Sequence, residues 1–287
     1  MLVNPASAGG KALRAVGEAV EVMAAASADF RVVETTSVEH ACEEARTASA
    51  AGEVVTAVGG DGIVGLLAGV LKGSEHPLAI IPAGRGNDFA RVLKIPFEPR
   101  EAARVALDAP ERPVDVAAVD GKPFVCIASL GFDSDANRIA NDTKLLKGNL
   151  VYLYAALRAL ARWKPARFTV RVDGEEHSWT GFSVAVANSK AYGGGMYVAP
   201  HAKLDDGRLE VLMVEGTSKL DFLRDLPKVF KGAHVDNPKV HWYAGTRVEI
   251  EADRPFAVYA DGDPIADLPV TVTVESRALR VIAPEPS

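Results

Sequence analysis

The chain has 287 residues, 48% of them hydrophobic and 24% charged, and carries a formal net charge of -6. That composition excludes a disordered chain, a collagen and a coiled coil, and at roughly 100 to 200 residues per domain the length favours two domains. The mildly acidic balance supplies no global field for nucleic acid or anionic lipid, so any such contact needs a local patch.

Leu2-Val3 predicts a short strand leading into a Ser/Gly turn and an Ala-rich helix from about Lys11 to Ala26. Phe30 to Thr35 predicts a strand, and Val38 to Ala51 a helix capped by Ser37. Val54 to Val58 predicts a further strand, followed by a Gly-Gly-Asp-Gly turn and a helix from Ile63 to Leu71. Leu78 to Ile81 repeats the pattern and ends at Pro82 and a second glycine turn. Strand, turn and helix in strict succession predict a parallel sheet with helices on its faces, whose ligands sit at the carboxyl ends of the strands.

After Pro110 the β-rich segments follow one another, separated by Asp-Gly at 120–121, 173–174, 206–207 and 261–262, which is hairpin chemistry. Helices are expected only at Asp133 to Asn141, Asn149 to Trp163 and Lys219 to Phe230. The expected division is an α/β domain over 1–111 and an antiparallel β-rich domain over 112–277, with a mobile Pro-Glu-Pro-Ser tail and a ligand-binding cleft between the domains.

Cys42 and Cys126 lie far apart and read as free thiols. The first residues lack the basic region and apolar core of a signal peptide, so export by that route is not expected. The longest apolar stretch, Leu150 to Trp163, is shorter than the ~20 residues of a spanning helix. A soluble or peripheral protein is expected.

Gly59-Gly60-Asp61-Gly62 lies between a buried strand and a helix start, where backbone N–H groups and the positive helix end favour a phosphate. Asp61 and a phosphate are both anionic, which calls for Mg²⁺ between them. Two more small-residue turns, Asn4 to Lys11 and Pro82 to Asp88, fall on the same sheet edge. Lys11, Arg85 or Arg91 could neutralise phosphate charge there, or the arginines could be ordinary surface residues. In the second half, Tyr192-Gly193-Gly194-Gly195 implies close backbone approach or a mobile loop. Asp205-Asp206-Gly207 reads either as a turn or as a hard-cation site. Asp261-Gly262-Asp263 reads as a turn, or as a carboxylate pair for proton abstraction or metal binding. The six histidines have no zinc spacing, and neither G-x-S-x-G nor the Walker A pattern occurs.

Taken in order, Asn4-Pro5 with its turn, Gly59-Gly60-Asp61-Gly62, Gly86-Asn87-Asp88-Phe89-Ala90-Arg91, Gly131-Phe132-Asp133, the segment Gly193 to Gly207 and Asp261-Gly262-Asp263 span nearly the whole chain. The ordered set resembles the diacylglycerol kinase catalytic-domain family of soluble bacterial lipid kinases. The resemblance implies an N-terminal nucleotide-binding α/β domain like that of phosphofructokinase and NAD kinase, and a C-terminal β-sandwich for the lipid. It also implies that 278–287 returns to the first domain.

By the same resemblance Asn4, Pro5, Ala6, Ser7, Ala8, Lys11, Thr35 and the segment Gly59, Gly60, Asp61, Gly62, Ile63, Val64, Gly65, Leu66 would serve ATP, with Arg85, Asn87, Asp88 and Arg91 beside it. Asp206, with the backbone carbonyls of Lys203 and Arg208, would hold a structural Mg²⁺, and Asp61 would join the network around the nucleotide's Mg²⁺. Asp263 stands where the family has a catalytic Glu, with Asp261 as its rival. Three departures stand out. Ile63 replaces a usual Thr, Gly65-Leu66 replaces a usual Asn-Glu, and Asp263 is one methylene shorter than Glu.

The function expected from the resemblance is ATP- and Mg²⁺-dependent phosphorylation of a lipid hydroxyl, diacylglycerol to phosphatidic acid by default. The alternatives are an NAD kinase-like enzyme, against which stands the lack of an Asn-Glu dipeptide, and a nucleotide- or lipid-binding protein that has lost catalysis. The expected partners are ATP and a lipid at the inner membrane surface, with a homodimer left open and no nucleic acid. Docking is expected through Lys144, Lys147, Arg158, Arg162, Lys164 and Arg167 around the apolar stretch, which reads equally as a core helix with solvated ends.

Overall fold

The computed structural model describes residues 1–5, 7–143, 149–216 and 218–285. The chain opens with strand β1 (Leu2–Val3), helix α1 (Lys11–Ala25), β2 (Val33–Glu34), α2 (Val38–Ala50), β3 (Val55–Gly59), α3 (Asp61–Leu71) and β4 (Leu78–Pro82), then α4 (Asp88–Val92) and α5 (Pro99–Asp108). The alternation is the expected one, and β1, β2, β3 and β4 pair in parallel. β3 and β4 are buried throughout, as a sheet covered on both faces requires. The strand expected over Phe30 to Thr35 shrinks to Val33–Glu34, because β1 offers only Leu2 and Val3 as partners. Phe30 and Val32 are consequently exposed.

The rest is mainly antiparallel: β5 (Glu111–Val119), β6 (Lys122–Phe124), β7 (Ile127–Gly131), α6 (Phe132–Asp142), α7 (Asn149–Arg162), β8 (Ala166–Val172), β9 (Glu175–Ala187), β10 (Leu209–Glu215) and α8 (Lys219–Asp225), then β11 (Val240–Gly245), β12 (Arg247–Ala252), β13 (Ala257–Ala260), β14 (Asp263–Asp267) and β15 (Val270–Ile282). One sheet path runs β14-β13-β7-β9-β8-β12-β15-β4-β3-β1-β2. β15 joins the two halves: it pairs antiparallel with β12 and β5, and its Val281 pairs in parallel with Leu78 of β4. Its register against β5 shifts between Glu275 and Leu279, at the positive φ of Arg277. The buried Asp115 fixes that bulge by accepting the Arg277 N–H at 2.7 Å.

Three of the four Asp-Gly pairs make two-residue hairpins with positive φ at both positions: 120–121, 173–174 and 261–262. The fourth does not. Asp206-Gly207 leads into β10, whose partners are β9 and β11, and only Gly207 takes a positive φ. The helix expected over Lys219 to Phe230 ends at Asp225 and tightens into a 3-10 turn over Leu226–Lys231, since Pro227 brings no N–H to the α ladder. Two cores result, one around the parallel sheet with Leu67, Ile80 and Phe89, the other inside the antiparallel half with Phe168, Phe182 and Ile250. Among the described residues no helix is long and apolar enough to cross a membrane. Cys42 and Cys126 are free.

Candidate functional site

Parallel pairing puts the loops after β1, β2, β3 and β4 on one edge, and they enclose an open cleft of about 1440 Å³. The N-termini of α1, α2 and α3 face it: Gly9 and Lys11, Ser37 and Val38, and Gly60 to Ile63 all line it. The first turn of a helix carries backbone N–H groups without partners in the helix itself and the positive pole of its dipole, so the cleft floor attracts anions. The β3–α3 and β4–α4 turns touch backbone to backbone. A Cβ on Gly84 would lie 2.3 Å from the Gly60 Cα, so no larger residue fits at this crossing.

Asp61 links these turns. Its Oδ2 accepts the Asn87 N–H at 2.8 Å and its Oδ1 the Asp88 N–H at 2.6 Å, so the carboxylate caps the start of α4. Asp88 makes the next link, accepting the Gly194 N–H at 2.9 Å and the Gly195 N–H at 2.8 Å. Burial pushes the Asp88 carboxyl up, against the opposing pull of the Gly194 bond. This carboxylate ties the parallel half to the triple-glycine loop of the antiparallel half. Arg91 donates to the Gly86 carbonyl at 3.3 Å, stacks on Phe97 at 4.7 Å and does not line the cleft.

The opposite wall is the β13–β14 turn, which contributes Asp261, Gly262 and Asp263. The Asp261 carboxylate accepts backbone N–H groups from Val125 at 2.8 Å, Cys126 at 2.9 Å and Ile127 at 3.2 Å. Burial pushes its pKa up to about 6 even against those bonds. Asp120 and Asp173, at the same position of the other two hairpins, also accept backbone N–H groups, from Thr271 and from Thr246 and Arg247. Asp261 is thus one of three like struts. Asp263 is exposed, and its Oδ2 lies 3.8 Å from where a Cβ on Gly62 would stand.

Of the residues expected to serve a nucleotide, Asn4, Lys11, Thr35, Gly60, Asp61, Gly62, Ile63, Leu66, Arg85 and Asp88 line this cleft together with Asp261 and Asp263. Val64 is buried in the core and Gly65 faces an adjoining groove, while Gly59 and Asn87 hold the turns from behind. Ala6, Lys144 and Lys147 lie outside the described residues, as do the side chains of Ser7, Ala8 and Asp133 and the tail residues Pro286 and Ser287. Lys203, Asp206 and Arg208 are exposed on a separate loop, where Asp206 Oδ1 accepts the Arg208 N–H at 3.0 Å and Asp115 accepts the Gly207 N–H at 2.7 Å.

Thr36, Ser37, Tyr192 and Gly194 also line the cleft, although sequence reasoning did not assign them to it. The capping serine after the second strand and the glycine run were the available signals. Asp115 was missed as well; a lone carboxylate in the apolar run Val114 to Val119 was its only mark.

Comparison with known proteins accords with this geometry. Residues 1–119 match the diacylglycerol kinase catalytic domain, and 126–283 match the YegS C-terminal NAD kinase beta sandwich-like domain. A diacylglycerol kinase of Mycobacterium tuberculosis H37Rv is 34% identical over 99% of this chain and 94% of its own length. A probable YegS-like lipid kinase of Chromohalobacter salexigens is 36% identical over 85% of this chain and 80% of its own. The crystal structure of a diacylglycerol kinase from Bacillus anthracis Sterne superposes with a TM-score of 0.80 at 25% identity, covering 98% of this chain and 95% of that one. The chain belongs to the diacylglycerol kinase catalytic-domain family and is a lipid kinase of the NAD kinase-like fold.

Proposed function

We propose that this lipid kinase transfers the γ-phosphoryl group of ATP to a lipid hydroxyl with the help of Mg²⁺, and that diacylglycerol is its acceptor and phosphatidic acid its product. The observation that carries the reading is a cleft with three helix N-termini on one wall and the exposed Asp263 on the other. The phosphates lie against the helix ends, with Lys11 and Arg85 as cations. The lipid oxygen bonds to the γ-phosphorus. The bond from that phosphorus to the bridging oxygen breaks with its electron pair leaving on ADP, and the hydroxyl proton passes to Asp263. Asp261 holds the turn that aims Asp263, and Asp61 and Asp88 fix the phosphate wall.

The oxygen donors suit a hard cation. Among the described residues no group of three His, Cys, Asp or Glu side chains is placed to hold a metal ion, so a cation at the loop over 203–208 would be held by Asp206, the carbonyls of Lys203 and Arg208, and water. When bound beside the nucleotide, Mg²⁺ neutralises developing phosphate charge. We assign the nucleotide domain to 1–111 with 278–287, and the lipid domain to 112–277. Membrane contact falls to the exposed face of α7, where Arg158 and Arg162 stand beside the exposed Tyr154 and Leu157.

Incubation with γ-labelled ATP and a lipid panel tests the reading. Label should enter phosphatidic acid with Mg²⁺ and vanish with a chelator. A panel in which no lipid is labelled, although ATP binds, would leave a binding protein instead.

A further inference from the structure

A second opening, of about 400 Å³, meets the nucleotide cleft at Asp61, Gly62, Leu66, Asp261 and Asp263. It runs between α3 and the edges of β6 and β14, and away from that junction its lining changes character: Val70, Pro123, Phe124 and Ile265 make its walls. α3 turns glycines to this groove and packs on Pro123 at its far end. Gly62, Gly65 and Gly69 lie on the face turned to it, and a Cβ on Gly69 would come within 2.5 Å of the Pro123 ring. Lys122 bridges from β6 to β14 by donating to the Ile265 carbonyl at 2.7 Å, and Arg46 adds a second cation to the lining. The usual Asn-Glu pair of the family is replaced in this chain by Gly65-Leu66, which leaves the α3 wall without a side-chain polar group at those positions.

We propose that this groove is the acceptor subsite, taking an acyl chain and the glycerol end of an uncharged lipid alcohol, with the hydroxyl delivered to Asp263 at the junction. The proposal rests on the lipid kinase reading. A kinase of this kind must hold an anionic donor and an apolar acceptor on opposite sides of one proton acceptor. These two openings, one walled by helix N-termini and cations and one by apolar side chains, meet at such a group. The volume is within the range of ligand pockets, which are mostly apolar with a few convergent polar groups. Three carboxylates at the junction disfavour an acceptor that carries a negative charge next to its hydroxyl.

Two measurements test it. Val70→Arg and Ile265→Arg each place a charge in the groove, outside the nucleotide cleft, and should raise KM for a short-chain diacylglycerol at least tenfold while ATP KM stays within twofold. A diacylglycerol carrying a photoactivatable acyl chain should label peptides that contain 122–124 or 264–265 in the wild-type protein, with or without turnover. Unchanged lipid KM in folded variants, or label confined to peptides of α7 and α8, overturns the groove even if the kinase reaction is robust. Label in the groove of a protein that phosphorylates no lipid would instead uphold the subsite and defeat the kinase reading.

Discussion

The hairpin turns Asp173-Gly174 and Asp261-Gly262 have the same sequence, positive φ at both positions and the same use for the aspartate, which accepts backbone N–H groups from a distant segment of the chain. Their acidities move in opposite directions. The Arg247 N–H, helped by Thr246, holds the exposed Asp173 carboxyl below its ordinary value. Burial pushes Asp261 up to about 6, although it accepts three such bonds. A turn sequence therefore sets the local bond pattern, while depth in the folded protein sets the charge. The comparison also separates Asp261 from Asp263. The first is a strut of a kind used three times in this fold, and only the second turns an exposed carboxylate to the cleft.

The broadest way to break this picture is at Asp61, the strut that joins the β3–α3 and β4–α4 turns on the wall proposed for the nucleotide. Asp61→Ala should abolish turnover. Little packing is lost, but two backbone bonds to a carboxylate disappear, so stability should drop by about 3 to 6 kcal/mol, given about 1.5 to 3 kcal/mol for each charged hydrogen bond. Circular dichroism and urea unfolding read the stability, and full activity in the folded variant would remove Asp61 from the site.

Asp263→Asn is the next largest effect. It keeps the shape and removes the proposed base, and should lower kcat by about 10²- to 10⁴-fold with ATP KM little changed. Asp263→Glu should retain activity. Should Asp263→Asn work within a few-fold of wild type while Asp261→Asn, folded, is dead, strut and base have been exchanged.

The pH dependence of stability sharpens the two-turn comparison directly. The folded pKa of Asp261 stands above the ordinary 3.8, so its stabilising contribution is complete below that value and is lost as pH rises through about 6. The loss is at most about 3 kcal/mol, at 1.36 kcal/mol per pH unit. Asp173 has the opposite sign: its contribution is present above 3.8 and is lost as pH falls through its lower folded value. The cost of Asp261→Asn should therefore shrink between about pH 4 and pH 6, and the cost of Asp173→Asn should shrink on acidification below about pH 4. Urea titrations across pH that gave both variants the same slope would refute the difference in burial.

The smallest effect concerns the wall of helix ends. Ser37 accepts the His40 N–H at 3.1 Å at the start of α2, and Ser37→Ala should cost about 1 kcal/mol of stability. Because Ser37 also lines the cleft, a small rise in ATP KM should accompany it. A stability loss without any change in KM would make this helix end structural alone.

Much of the fold was legible because its signals are local. Alternating apolar runs and glycine turns located β3, α3 and β4 to within two residues, and the Asp-Gly pairs marked three hairpins through their need for positive φ. Where the reading failed, a partner was responsible. β2 is short because β1 has two residues to offer, and Asp206-Gly207 is no hairpin because β10 pairs with β9 and β11. By itself the sequence determined the order of elements, the three small-residue turns on one sheet edge and the acidic residues near them, since turn and helix chemistry act over a few positions. Only the tertiary structure decided that Asp88 would clasp the loop at Gly194 from 106 residues away, that Asp261 would be spent on β7 and the segment before it, and that Asp263 would stand where two unlike openings meet. Those outcomes depend on which distant backbone groups folding brings within hydrogen-bond reach and which carboxylates it removes from water, and neither is written in the spacing of residues along the chain.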